Sequence, residues 1–221
     1  MHPQASATVS SLARLSIVVP ERHLETLMKV IRTQCAQFTA RDVSGIMHSL
    51  ASLGARPLPS ALDPIGYRAH LLLQAQLGAD VLEQSTDQPG SYRDTATTSN
   101  FSRAEDLTFS PQGISMLMHS AAVMGYANDQ LLTSAADAAV RHLSGFTSQG
   151  LSNTIWALAK LEHYSPALVN ATLACFRQRH AEFKPQEISN LMWALTQFRY
   201  DQGGEISGFE IAILSASLPD T

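Results

Sequence analysis

The sequence predicts an all-α protein, an αα-hairpin repeat solenoid of about four or more 37-residue repeats. Three observations carry that expectation. "GLSNTIWAL" at 150–158 returns as "EISNLMWAL" at 187–195, 37 positions later, and duplication at such an interval marks stacked supersecondary units. Apolar residues recur at helical spacing in both copies: Leu151, Ile155, Leu158 and Leu161 in one, Ile188, Met192, Leu195 and Phe198 in the other,. Composition agrees, because 45% hydrophobic content with only 7% aromatic residues, and abundant Ala, Leu and Ser, favours helices over sheets.

Each unit opens on a phenylalanine. "FTSQGLSNTIWALAKLEHY" starts at Phe146, "FKPQEISNLMWALTQFRY" at Phe183 and "FSPQGISMLMHSAAVMGY" at Phe109, at steps of 37. A weaker copy, "FTARDVSGIMHSLASLG", starts at Phe38, 71 residues before Phe109, which is one repeat plus 34 residues. The first helix of each unit, helix A, carries its own start signals. Thr39, Ser110 and Thr147 stand where a side-chain oxygen can accept from a free backbone N–H,. Pro111 and Pro185 fall at the first helical position, where a missing N–H costs nothing,. Asp42 pairs with Thr39 as a capping box; Glu187 holds the same third position, but Lys184 is a poor cap,.

A second helix, helix B, fills the rest of each unit. "SPALVNATLACFRQRH" places Leu168, Val169, Leu173 and Phe176 on one face, matched by Leu131, Leu132, Ala136 and Ala139, and earlier by Leu24, Met28 and Ile31,. Helix B of the Phe38 unit falls on "YRAHLLLQAQLGADVL" (67–82), and "ISGFEIAILSASL" (206–218) reads as a last helix B. The opening "SSLARLSIVVP" resembles the end of a helix A. The expected organisation is N-terminal repeats at 1–84, a polar loop at 85–108, and C-terminal repeats at 109–221, divided at 145/146 and 182/183. It comprises seven or more helices in right-handed pairs, part of a longer array. "STDQPGSYRDTATTSN" (85–100) has almost nothing to bury and reads as disordered. Its alternative role is a hinge between two mobile blocks.

Net charge is −4, unevenly placed. Residues 1–60 carry six Lys/Arg against three Asp/Glu, 61–108 three against seven, 109–200 six against five, and 201–221 none against four. The helical part is thus neutral to mildly basic, which leaves room for a basic stripe. Two cysteines, Cys35 and Cys175, make neither a disulfide framework nor a zinc site and suit a reducing compartment. No apolar run reaches the roughly 20 residues of a membrane span.

The sequence holds no Gly-rich phosphate loop, HExxH, nucleophile elbow or paired-Cys motif,. It therefore predicts no enzyme, cofactor, metal or small-molecule substrate. His48 and His119 occupy the register of Trp156 and Trp193, so they read as packing rings rather than metal ligands. Arg177, Arg179 and His180 close a helix B, where cations favour the dipole,; a phosphate contact is the other reading. "NFS" and "NAT" match the glycosylation pattern by chance, since the second lies mid-helix.

The unit F-x-P-Q-x-[IL]-S-N-x-[MI]-W-A-L followed by a second helix resembles the octotricopeptide-repeat family, which is related to the repeats beside RAP domains. The resemblance is strongest over 146–200, fair over 109–145 and weak over 20–83. Two departures stand out: no RAP-like segment follows, and the helix-B starts lack the "PPPEW" signature of many members. The resemblance implies binding of single-stranded organellar RNA, in a chloroplast or mitochondrion, and control of its stability, processing or translation. Helix-pair repeats can read RNA one base per unit. The expected contacts are Arg41, Gln112, Gln149 and Gln186 in the first turn, then Asn153 and Asn190 one turn later, where Gly45 and Met116 hold the register in the other copies. Amides donate and accept, which suits base edges; alternatively Asn153 and Asn190 ladder between repeats. Lys160 and Lys184 are candidate phosphate contacts. A protein-binding scaffold of the same solenoid is the competing function. The first 20 residues, without acid and with four serines and Arg14, fit a transit peptide, but a truncated helix A starting near Thr8 fits the register better. A targeting signal would then lie outside this segment.

Overall fold

The computed structural model describes residues 4–14, 20–55, 57–85 and 106–202. Every regular element among them is helical: α1 (Gln4–Arg14), α2 (Glu21–Gln34), α3 (Ala40–Ser52), α4 (Pro59–Ser85), α5 (Pro111–Met124), α6 (Asp129–Arg141), α7 (Ser148–Lys160), α8 (Pro166–Arg179) and α9 (Pro185–Gln202), with single 3-10 turns after α2, α6 and α8. The starts of α5, α7 and α9 lie 37 residues apart, as do those of α6 and α8. Of the loop expected at 85–108, Ser85 belongs to α4 and residues 106–108 lead into α5, while 86–105 and the helix expected at 206–218 lie outside the described residues.

The helices form two layers. The A helices α1, α3, α5, α7 and α9 each pack on the next, and the B helices α2, α4, α6 and α8 do the same behind them. The core lies between the layers, where Phe38, Ile46, Leu50, Ile65, Leu73, Ile114, Leu117, Leu131, Leu158 and Phe176 are buried. Sequence dictates this locally. Thr39 and Asp42 form the expected capping box, and the Ser110 and Thr147 side chains accept from Gly113 and Gly150 N–H. At the unfavourable Lys184, the Glu187 carboxylate accepts from the Lys184 backbone N–H at 3.0 Å. Gly125, at φ 69°, ends α5 in the left-handed conformation that glycine adopts without cost,.

One boundary differs from expectation. Helix α4 begins at Pro59, eight residues before Tyr67, and runs through Pro64. Burial of Leu62 and Ile65 offsets the one hydrogen bond that Pro64 forfeits in the second turn. Gly66 then lets the Tyr126 ring lie against the helix, where any Cβ would clash with the ring; Tyr126 Oη donates to Asp63 at 3.1 Å.

Packing is continuous across the undescribed 86–105 segment. Helix α3 lies on α5 and α4 on α6, and Ala40 N–H donates to Asp106 C=O at 3.0 Å. Gln76, on α4, grips the backbone at the head of α5: Phe109 N–H donates to its Oε1 at 2.8 Å and its Nε2 donates to Phe109 C=O at 3.1 Å. Side chains of B helices hold two other opening phenylalanines, with Arg68 donating to Phe38 C=O at 2.9 Å and Arg179 to Phe146 C=O at 3.2 Å. Arg179 is further occupied by Glu182, at 2.6 Å from Nη2, a bond that raises its pKa. That residue is a structural clamp, which leaves its dipole and phosphate readings secondary.

Candidate nucleic-acid interface

Residues at positions 3, 7, 10 and 14 after each opening phenylalanine fall on one side of a helix, because three- and four-residue steps return to the same face. In α3 these are Arg41, Gly45, His48 and Ser52; in α5 Gln112, Met116, His119 and Val123; in α7 Gln149, Asn153, Trp156 and Lys160; in α9 Gln186, Asn190, Trp193 and Gln197. None of these sixteen residues is buried. The apolar stripes of the same helices face the B layer instead. The open A face thus carries seven of the eight sequence-predicted contacts. Lys184, exposed just ahead of α9, stands at its N-terminal edge.

Stacking the A helices sets the first two positions of neighbouring repeats around shared clefts. An open cleft of about 420 Å³ between α3 and α5 is lined by Arg41, Gly45, Gln112 and Met116, with Asp106 at its side. The next, of about 400 Å³ between α5 and α7, is lined by Gln112, Met116, Gln149 and Asn153. Gln112 and Met116 therefore line both clefts. Within α9, Gln186 Nε2 donates to Asn190 Oδ1 at 3.1 Å.

The expected amide ladder is a serine ladder. Ser115 Oγ donates to Gly150 C=O at 3.0 Å and Ser152 Oγ to Glu187 C=O at 2.8 Å, each tying one A helix to the next. Among the described residues no hydrogen bond joins Asn153 to Asn190. The serine that follows an aliphatic residue in each unit, Ser44, Ser115, Ser152 and Ser189, was the available signal, although Ser44 and Ser189 donate within their own helices, to Ala40 and Pro185 C=O.

The rings at position 10 pack, but on one another and at the surface. His119 lies 5.4 Å from Trp156, and Trp156 6.2 Å from Trp193, between ring centroids. Trp193 remains 39% exposed, and His48 is exposed at the other end. Burial, then the neighbouring His48, lowers the His119 pKa below 6.5, so the imidazole is held neutral. The sequence reading treated these rings as filling and missed them as an accessible row.

Electrostatically the sixteen positions lack acid, and Asp106 is the carboxylate that lines the α3–α5 cleft. The chain has 19 Asp and Glu against 15 Lys and Arg, yet the sixteen positions hold Arg41 and Lys160 and no carboxylate. Among the described residues no group of three or more His, Cys, Asp or Glu is placed to hold a metal ion. No described helix is long and apolar enough to cross a membrane. No protein-family model and no curated protein matches the chain.

Proposed function

We propose that this chain is an RNA-binding helical-repeat protein, an αα-solenoid whose A helices line a groove for single-stranded RNA. One observation carries the reading: an open face on which amides recur at the repeat register, Gln112, Gln149 and Gln186 in one row with Asn153 and Asn190 in the next, with no carboxylate at these positions. Amides satisfy donors and acceptors on base edges, and positions without carboxylates tolerate a polyanion. The resemblance of residues 146–200 to octotricopeptide repeats supports the same partner and an organellar role in RNA processing, stability or translation. Selection from a random single-stranded RNA pool at two salt concentrations tests it. A short enriched motif whose retention weakens with salt is the expected result; no retention at low salt refutes it.

The competing scaffold reading places a peptide or partner helix in the same groove, and a second, apolar surface favours a protein partner elsewhere. Between α2 and α4 an open groove of about 360 Å³ is lined by Leu24, Met28, Leu58 and Ala61, and Leu58, Tyr67 and Leu71 are exposed on or beside α4. Those residues belong to the B layer, so a protein docked there would leave the A face open.

A further inference from the structure

We infer that the His48–His119–Trp156–Trp193 row is a stacking platform for the unpaired bases of single-stranded RNA, one ring per repeat, with each nucleotide laid along its A helix. The inference rests on the RNA reading above and adds the base-face contact that the amides do not supply. Three features support it. First, the rings form a row across the stack at 5.4 and 6.2 Å between His119, Trp156 and Trp193, in which His119 and Trp156 are half-buried and Trp193 is exposed. Second, α7 presents Asn153, Trp156 and Lys160 in that order. At 1.5 Å per residue, Asn153 and Lys160 are separated by about 10 Å. A base lying on the Trp156 ring would point its edge toward Asn153 and Gln149, and its phosphate toward Lys160. Third, the cleft beside α7 is lined by no carboxylate that would repel that phosphate.

The ring spacing also decides how bases sit. A base inserted between two rings requires about 7 Å, twice the 3.4 Å stacking distance, and both measured gaps are shorter. Bases therefore lie on the outward faces of the rings and leave the stack of repeats intact. Sequence preference then resides in the amide rows, because every base has a π-face.

The protein carries its own probe, since its only two tryptophans are both in the row. The full chain is titrated with single-stranded oligoadenylate of about 12 nucleotides, within the usual span of such sites, following tryptophan emission and, in parallel, the anisotropy of an end-labelled oligonucleotide. Saturable quenching is expected, with the same midpoint in both signals. Trp193→Leu should weaken binding roughly 5- to 150-fold, the range for loss of one stacked base, whereas Trp193→Phe should stay close to wild type; circular dichroism melts show that both variants are folded. Anisotropy-detected binding with no quenching, and unchanged by Trp193→Leu, overturns the stacking platform while RNA binding stands. No binding of wild type in either signal overturns both.

Discussion

Gln76 is the position at which the two halves of the molecule are joined most economically, and removing its amide tests that role. It is 6% exposed, and it satisfies both backbone groups of Phe109, itself 3% exposed. Replacing it with Leu keeps the volume but leaves a buried N–H and a buried C=O without partners. Each orphaned group costs about 1–3 kcal/mol, so Gln76→Leu should destabilise by about 2–6 kcal/mol. For a chain of this size that corresponds to a fall in Tm of roughly 4–24 °C, at about 2–4 °C per kcal/mol. Urea unfolding followed by far-UV circular dichroism gives the free energy, and amide exchange at Phe109 should accelerate because its acceptor is gone. The exposed Gln112→Leu is the control, expected within about 0.5 kcal/mol of wild type. If Gln76→Leu and this control unfold at the same urea concentration, the clamp carries no stability and the reasoning is wrong.

Three further outcomes are expected. Replacing Asn153 and Asn190 together with Ala should lower affinity for the selected RNA by roughly tenfold or more, given about 1–3 kcal/mol for a good bidentate base contact, with Tm unchanged; a lowered Tm with affinity per folded molecule preserved would make the amides structural. Lys160→Ala should reduce the slope of log affinity against log salt by about 0.7, the value for one phosphate contact on a single strand, and an unchanged slope rules that contact out. His119 gives a pH effect whose sign is determined by its lowered pKa: below 6.5 the unfolded chain takes up the proton more readily than the folded one, so stability is full above pH 6.5 and declines as pH falls through the folded value. The Tm of His119→Asn should decline less than that of wild type between neutral pH and pH 5, and parallel declines would remove His119 as the cause.

Sequence alone determined the units. The opening phenylalanines at 109, 146 and 183, the cap residues Thr39, Ser110 and Thr147, and the apolar spacing of Leu151, Ile155 and Leu158 are local signals. Helix starts and inward faces follow from them, because capping and amphipathic period act within a few residues. The start of α4 was not legible, since Pro64 reads locally as a breaker and is tolerated only where Leu62 and Ile65 find a core to enter.

What the tertiary structure alone decided is which side of each A helix stays open and what its residues meet there. Position 10 borders the apolar stripe, so a ring there is equally compatible with a core and with a surface. Ile155 and Leu158 are fully buried, whereas His119, Trp156 and Trp193 meet one another at the edge of the core, the first two half-buried and Trp193 exposed. Likewise Ser115 and Ser152, not Asn153 beside the second of them, reach the next helix. Both outcomes depend on the approach of residues about 37 positions apart, and a distance between stacked helices is written in no single helix.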